Sequence, residues 1–89
     1  MVRIAICDDE ETLILDLKEQ LDRYGRETGR ELCLLEYHDG SELLAHYQPD
    51  LDLIFMDIRM EKVNGLKAAE EIRKVDSTVG IMFLTSLSQ

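Results

Sequence analysis

The chain has 89 residues, enough for one small domain. Its formal net charge of −9, from 19 acidic and 10 basic residues, argues against direct binding to the phosphate backbone of nucleic acids. An apolar share of 45% is ordinary for a folded chain, so disorder is not the default.

The two cysteines, Cys7 and Cys33, each sit inside an apolar run and match no zinc spacing. They read as small buried hydrophobes in a reducing compartment. The start Met1-Val2-Arg3 turns acidic by Asp8, which is wrong for a secretory signal. No apolar run approaches the roughly 20 residues that span a bilayer. The expected location is cytoplasmic, with no membrane partner.

In chain order, Ile4 to Cys7 predicts a first strand, an apolar run without the polar alternation of a half-exposed one. It runs straight into Asp8, Asp9, Glu10 and Glu11. A helix follows, with Leu13, Leu17 and Leu21 repeating every fourth position, Ile14 and Tyr24 widening the stripe, and Gly25 and Gly29 bracketing its end. Leu32 to Leu35 predicts a second strand, ending in Glu36-Tyr37-His38-Asp39, a polar group with no evident chemical partner. Ser41 is expected to cap a second helix whose inner face is Leu43, Leu44 and Tyr47, stopped by Pro49.

Leu53 to Met56 predicts a third strand closing on Asp57. Asn64 and Gly65 open a third helix, with Leu66, Ala69 and Ile72 at helical spacing and Lys74 near its end. Ile81 to Leu84 predicts a fourth strand ending in Thr85-Ser86. No linker, repeat or low-complexity stretch interrupts this β-α-β-α-β-α-β order. Strands alternating with helices imply a parallel sheet with right-handed crossovers. In such sheets functional groups gather beyond the carboxyl ends of the strands.

Those ends carry Asp8-Asp9, Asp57 and Thr85. Taken alone, Asp8 and Asp9 read as a helix start, where an acid complements the dipole by about 0.3–1 kcal/mol, and Glu10 and Glu11 stay with that reading. Asp57 alone could equally begin a loop. Together, three carboxylates on two strand ends repel one another unless a cation sits among them, and such hard oxygen ligands suit magnesium. Asp57 would then be the nucleophile for an acyl phosphate, with the Thr85 hydroxyl placed to bond a phosphoryl oxygen.

These stretches carry a resemblance. "IAICDDE" is similar to the first strand and acidic pair of the receiver domain of two-component response regulators. "FMDIRMEKVNGL" resembles that family's phospho-acceptor strand and following loop, and "IMFLTS" its fourth strand with a switch threonine. The likeness runs from Arg3 to Gln89. It implies a doubly wound, flavodoxin-like α/β fold with the second strand beside the first, then the third and fourth. It also implies that Asp57 takes a phosphoryl group from a histidine kinase, that Asp8 and Asp9 hold Mg2+, that the Arg59 backbone carbonyl adds a further ligand, and that Thr85 reads the phosphate. The stretches "ICDDE" and "FMDIRM" lean toward regulators with a LytTR-type DNA-binding output.

Two departures stand out. Glu61 occupies the position where the family commonly has proline, which leaves the loop less rigid. The family's fourth helix, fifth strand, lysine and fifth helix have no counterpart, and neither Lys18 nor Lys62 is an evident substitute. Residues 1–89 are therefore expected to be a receiver truncated after its fourth strand, without the output domain that would touch DNA, and prone to self-association. The alternative activity is a Mg2+-dependent phosphohydrolase with an aspartate nucleophile. The haloacid-dehalogenase type, however, wants a second aspartate where Arg59 stands. A nucleotide-binding module would want a glycine-rich loop after the first strand, and there is none.

Overall fold

A computed structural model describes residues 1–84 of the chain. The strands are β1 (Val2–Cys7), β2 (Leu32–Tyr37), β3 (Leu53–Asp57) and β4 (Gly80–Leu84). The helices between them are α1 (Glu11–Thr28), α2 (Gly40–Ala45) and α3 (Gly65–Val75). The element order is the one expected from the apolar runs. All strand pairings are parallel, in the order β2-β1-β3-β4.

From β1 the chain first steps to one side to form β2, then crosses back over to form β3 on the other side. The sheet direction therefore reverses between β1 and β3, and a crevice opens at their carboxyl ends. The register pairs Cys7 with Met56. One residue further along, Asp8 stands beside Asp57.

Successive side chains of a strand point to opposite faces. On one face, Ala5 and Cys7 of β1 and Ile54 and Met56 of β3 pack with Leu43 of α2, Ala68 and Ile72 of α3, and Leu51 and Val79. The out-of-phase pair Ile4 and Ile6 is also buried, outside that cluster, as is Ile14 of α1. The sheet is thus covered on both faces. Among the described residues β4 is an edge, with Met82 52% and Phe83 38% exposed.

Three details differ from the sequence reading. In α1 the fully buried residue is Ile14, while Leu13 and Tyr24 of the expected stripe are exposed. In α3 the inward residues are Gly65, Ala68 and Ile72, and Leu66 is exposed. The Asn64 side chain accepts from the Lys67 amide and so sets the phase of that helix. In α2 the cap is Asp39 rather than Ser41, whose amide donates to it, and Tyr47 lies beyond the helix end. Gly29 ends α1 with φ of 73°, the left-handed conformation glycine adopts most easily. No helix among the described residues is long and apolar enough to cross a membrane.

Candidate functional site

The crevice at the β1–β3 reversal holds three carboxylates. Asp8 and Asp57 are buried, at 1% and 9% exposure, and Asp9 is exposed beside them. One oxygen from each of the three lies within 4.8 Å of the others. The sequence named these residues as one group, and the fold brings them together.

For Asp8 and Asp9 the helix-start explanation fails on geometry, while Glu10 and Glu11 do stand at the start of α1. Glu10, not Asp8 or Asp9, is the N-cap of α1, and it makes no side-chain capping bond. Asp8 instead turns back on the chain and accepts from the Glu10 amide at 2.9 Å. The Asp8 amide donates to the Tyr37 carbonyl at the end of β2, which pins the residue at the carboxyl end of the sheet. Glu11 does behave as a dipole-complementing acid in the first turn.

Around Asp8 and Asp57 there is little to neutralise charge. Each accepts one backbone amide, from Glu10 and from Arg59 at 3.3 Å. The ion pairs among the described residues lie elsewhere. Burial pushes the Asp8 carboxyl up to about 6, and the charges of Asp57, Asp9 and Glu10 push the same way against the Glu10 amide. A buried carboxylate cluster of this kind is costly unless a cation joins it. The donor set is all oxygen, so the residues present fit a hard divalent ion such as Mg2+.

The carboxylates open onto a cleft of ≈ 220 Å3 lined by Asp8, Asp57, Leu13, Asp16, Leu17 and Leu84, among others. Arg59 lies exposed in the loop after β3, where its amide meets Asp57 Oδ1. Thr85 lies outside the described residues. A second group, Glu11, Glu36 and His38, also comes together. Lys18 already pairs with Glu36, and His38 Nε2 sits 2.8 Å from Glu11 Oε1, so its charges are met internally.

Sequence reasoning missed the packing at the two glycines that open α2 and α3. A Cβ on Gly65 would fall 2.1 Å from the Asp57 carbonyl oxygen, and one on Gly40 would fall 2.3 Å from the Val63 carbonyl oxygen. The available signal was the matching pair of cap-plus-glycine steps, Asp39-Gly40 and Asn64-Gly65. Both glycines let the loop after Asp57 press directly on its neighbours.

Comparison with known proteins gives consistent matches. A family model described as the response regulator receiver domain matches residues 4–89. The transcriptional regulatory protein CpxR of Klebsiella pneumoniae is 35% identical over 82 residues, covering 92% of this chain and 33% of that protein. The chemotaxis protein CheY of Thermotoga maritima is 30% identical over 88 residues, covering 98% of this chain and 69% of that protein. The response regulator TrrA of Thermotoga maritima, solved in complex with Mg2+-BeF, is 34% identical with a TM-score of 0.85, covering 99% of this chain and 72% of that one. A complex of TrrA with the histidine kinase ThkA matches at 33% identity and a TM-score of 0.81, covering 100% of this chain and 72% of that one. The chain spans about a third of the length of CpxR, and covers 34% of RprY of Bacteroides fragilis.

Proposed function

This chain belongs to the response regulator receiver domain family, and from that premise we propose that Asp57 accepts a phosphoryl group from a histidine kinase. The observation that carries the proposal is the burial of Asp8 beside Asp57 at adjacent strand ends, with Asp9 within reach and no cationic side chain paired to them among the described residues. The TrrA complexes with Mg2+-BeF and with a histidine kinase support the same reading.

In this proposal Asp8, Asp9, Asp57 and the Arg59 backbone carbonyl hold Mg2+, and Thr85 reads the phosphate. When bound, Mg2+ would supply positive charge that offsets the clustered carboxylates and the phosphoryl group. An Asp57 oxygen attacks phosphorus while the bond from phosphorus to the kinase histidine nitrogen breaks, leaving an acyl phosphate on Asp57. The Arg59 amide donates to Asp57 Oδ1 at 3.3 Å, a long bond that favours Oδ2 as the oxygen that reacts.

The receiver would act in the cytoplasm as a signalling partner, not as a turnover enzyme, and would pass its state to an output domain. The relatives named transcriptional regulatory proteins support a DNA-binding output, and a LytTR-type output is the reading we carry from the sequence. The test uses the protein as its gene encodes it, incubated with acetyl phosphate and Mg2+. Wild type should gain one base-labile phosphoryl group by intact mass, and Asp57→Asn should gain none. Label retained by Asp57→Asn would overturn the assignment of the acceptor. Steady phosphate release without retained label would favour the phosphohydrolase.

A further inference from the structure

The segment Glu36-Tyr37-His38-Asp39, which the sequence left without a partner, ends in a residue with long-range work. Asp39 Oδ2 accepts from the Ser41 amide at 2.9 Å, the ordinary N-cap bond of α2. The same carboxylate also reaches the loop after β3. Oδ1 accepts from the Lys62 amide and Oδ2 from the Val63 amide, both at 3.0 Å.

Those two amides belong to the loop between β3 and α3, which carries Arg59. At its start the loop is fixed by the Arg59 amide on Asp57 Oδ1 and by Met60 Sδ, 3.6 Å from the buried Cys7 Sγ. Its base is closed, since the amide of Gly65, the first residue of α3, donates to the Ile58 carbonyl at 2.9 Å. The turn between Met60 and Asn64 is exposed apart from the half-buried Val63. Asp39 is the side chain that bonds that turn's backbone, beside the close passage of Gly40 under the Val63 carbonyl and the packing of the Val63 side chain against the core. Glu61, standing in the turn, leaves its backbone freer than a proline would.

We propose that Asp39 is a positioning residue for the phosphoryl site: its carboxylate anchors the turn at Lys62 and Val63 and so holds Arg59 against Asp57. This inference rests on the reading of Asp57 as acceptor and of Arg59 as a carbonyl ligand. An ionised carboxylate suits the task because it only accepts and has two oxygens to share among three amides. Partial burial works against the charge, yet the Ser41, Lys62 and Val63 amides outweigh it and hold the carboxyl down at about 2.

Two substitutions separate anchoring from helix capping. Asp39→Ser keeps a side-chain oxygen for the Ser41 amide but is too short to reach the loop. Asp39→Asn keeps the size but offers an NH2 group to an amide that needs an acceptor. Both should weaken Mg2+ binding about tenfold, the lower end of what loss of a supporting hydrogen bond costs a metal site. Both should also speed amide hydrogen exchange at Lys62 and Val63. Slowed labelling by acetyl phosphate should recover in excess Mg2+. Tyr47→Phe, which removes the distant bond from Tyr47 to Asp76, is the control for lost stability alone and should leave Mg2+ affinity unchanged.

The measurements are Mg2+ titration, hydrogen exchange and labelling on the protein as its gene encodes it. If Asp39→Ser does not fold, Asp39→Asn carries the test. Wild-type Mg2+ affinity in both Asp39 variants, with wild type itself labelled at Asp57, would overturn the inference. A matching loss in Tyr47→Phe would also overturn it. A wild type that neither binds Mg2+ nor labels at Asp57 would overturn the reading of the site, and this inference with it.

Discussion

Gly65→Ala sets a local rule against a tertiary one. Within a helix, alanine is favoured over glycine by about 0.8–1 kcal/mol, so propensity alone predicts a more stable protein. In the fold, the added Cβ would sit 2.1 Å from the Asp57 carbonyl oxygen, 2.8 Å from Met56 Cγ and 3.0 Å from the Asp57 carbonyl carbon. Two of those atoms are backbone and cannot swing aside. Restoring an ordinary contact means moving the start of α3 away from the end of β3 by more than about 1 Å, in a core packed as densely as a crystal.

Overpacking of this kind costs about 1–3 kcal/mol. With unyielding backbone at 2.1 Å the upper part of that range applies, about 2–3 kcal/mol, so after the propensity gain the net destabilisation should be about 1–2 kcal/mol. For a domain of this size that lowers Tm by about 4–16 °C. Urea melts of wild type and Gly65→Ala should show a lower midpoint with an unchanged slope. Because the displaced atom is the Asp57 carbonyl, Mg2+ binding should weaken in the same variant. A midpoint equal to or above that of wild type would refute the reasoning, since helix propensity would then have won over the close approach.

Millimolar Mg2+ should raise Tm by the linkage RT ln(1 + [L]/Kd), and the rise should shrink in Asp9→Asn; equal shifts in both proteins would sink the shared pocket. Without Mg2+, Asp57→Asn should melt higher than wild type, because it relieves repulsion with the buried Asp8; a lower Tm would contradict this. The Tyr47 hydroxyl, then the Thr78 and Val79 donors, hold the Asp76 carboxyl at about 2, below its ordinary 3.8. The stability this gives is complete above about pH 4 and lost as pH falls toward 2; Tm against pH should therefore fall less steeply in that window for Tyr47→Phe than for wild type. The 89-residue chain by itself should self-associate through β4, whose exposed Met82 and Phe83 carry no charge to discourage pairing. Sedimentation at several concentrations should show this, with Phe83→Lys reducing it; a concentration-independent monomer would refute it.

The order and kind of the elements were legible in the sequence because they rest on local physics. A run of four or five apolar residues without alternation is too short for a helix and suits a strand buried on both faces, while an apolar stripe of helical period suits a helix packed on one face. The acids at the strand ends were equally visible, since position along the chain marks the end of a run. That Asp8 and Asp57 meet was decided by strand order, because only when β3 lies directly beside β1 do the two ends share a crevice. The helix faces were decided by tertiary packing too. One position along a helix turns a side chain by about 100°, so the step from Leu13 to Ile14 exchanges exposure for burial, and that from Ala69 to Ala68 takes a half-buried position to a fully buried one. The roles of Asp39, Gly40 and Gly65 were beyond local reading for the same reason. Asp39 and Gly40 meet backbone more than twenty residues away, and Gly65 meets the carbonyl of Asp57. Residue type alone can show that a carboxylate accepts and a glycine leaves room; only the folded backbone determines which amide it accepts from and which carbonyl fills the space.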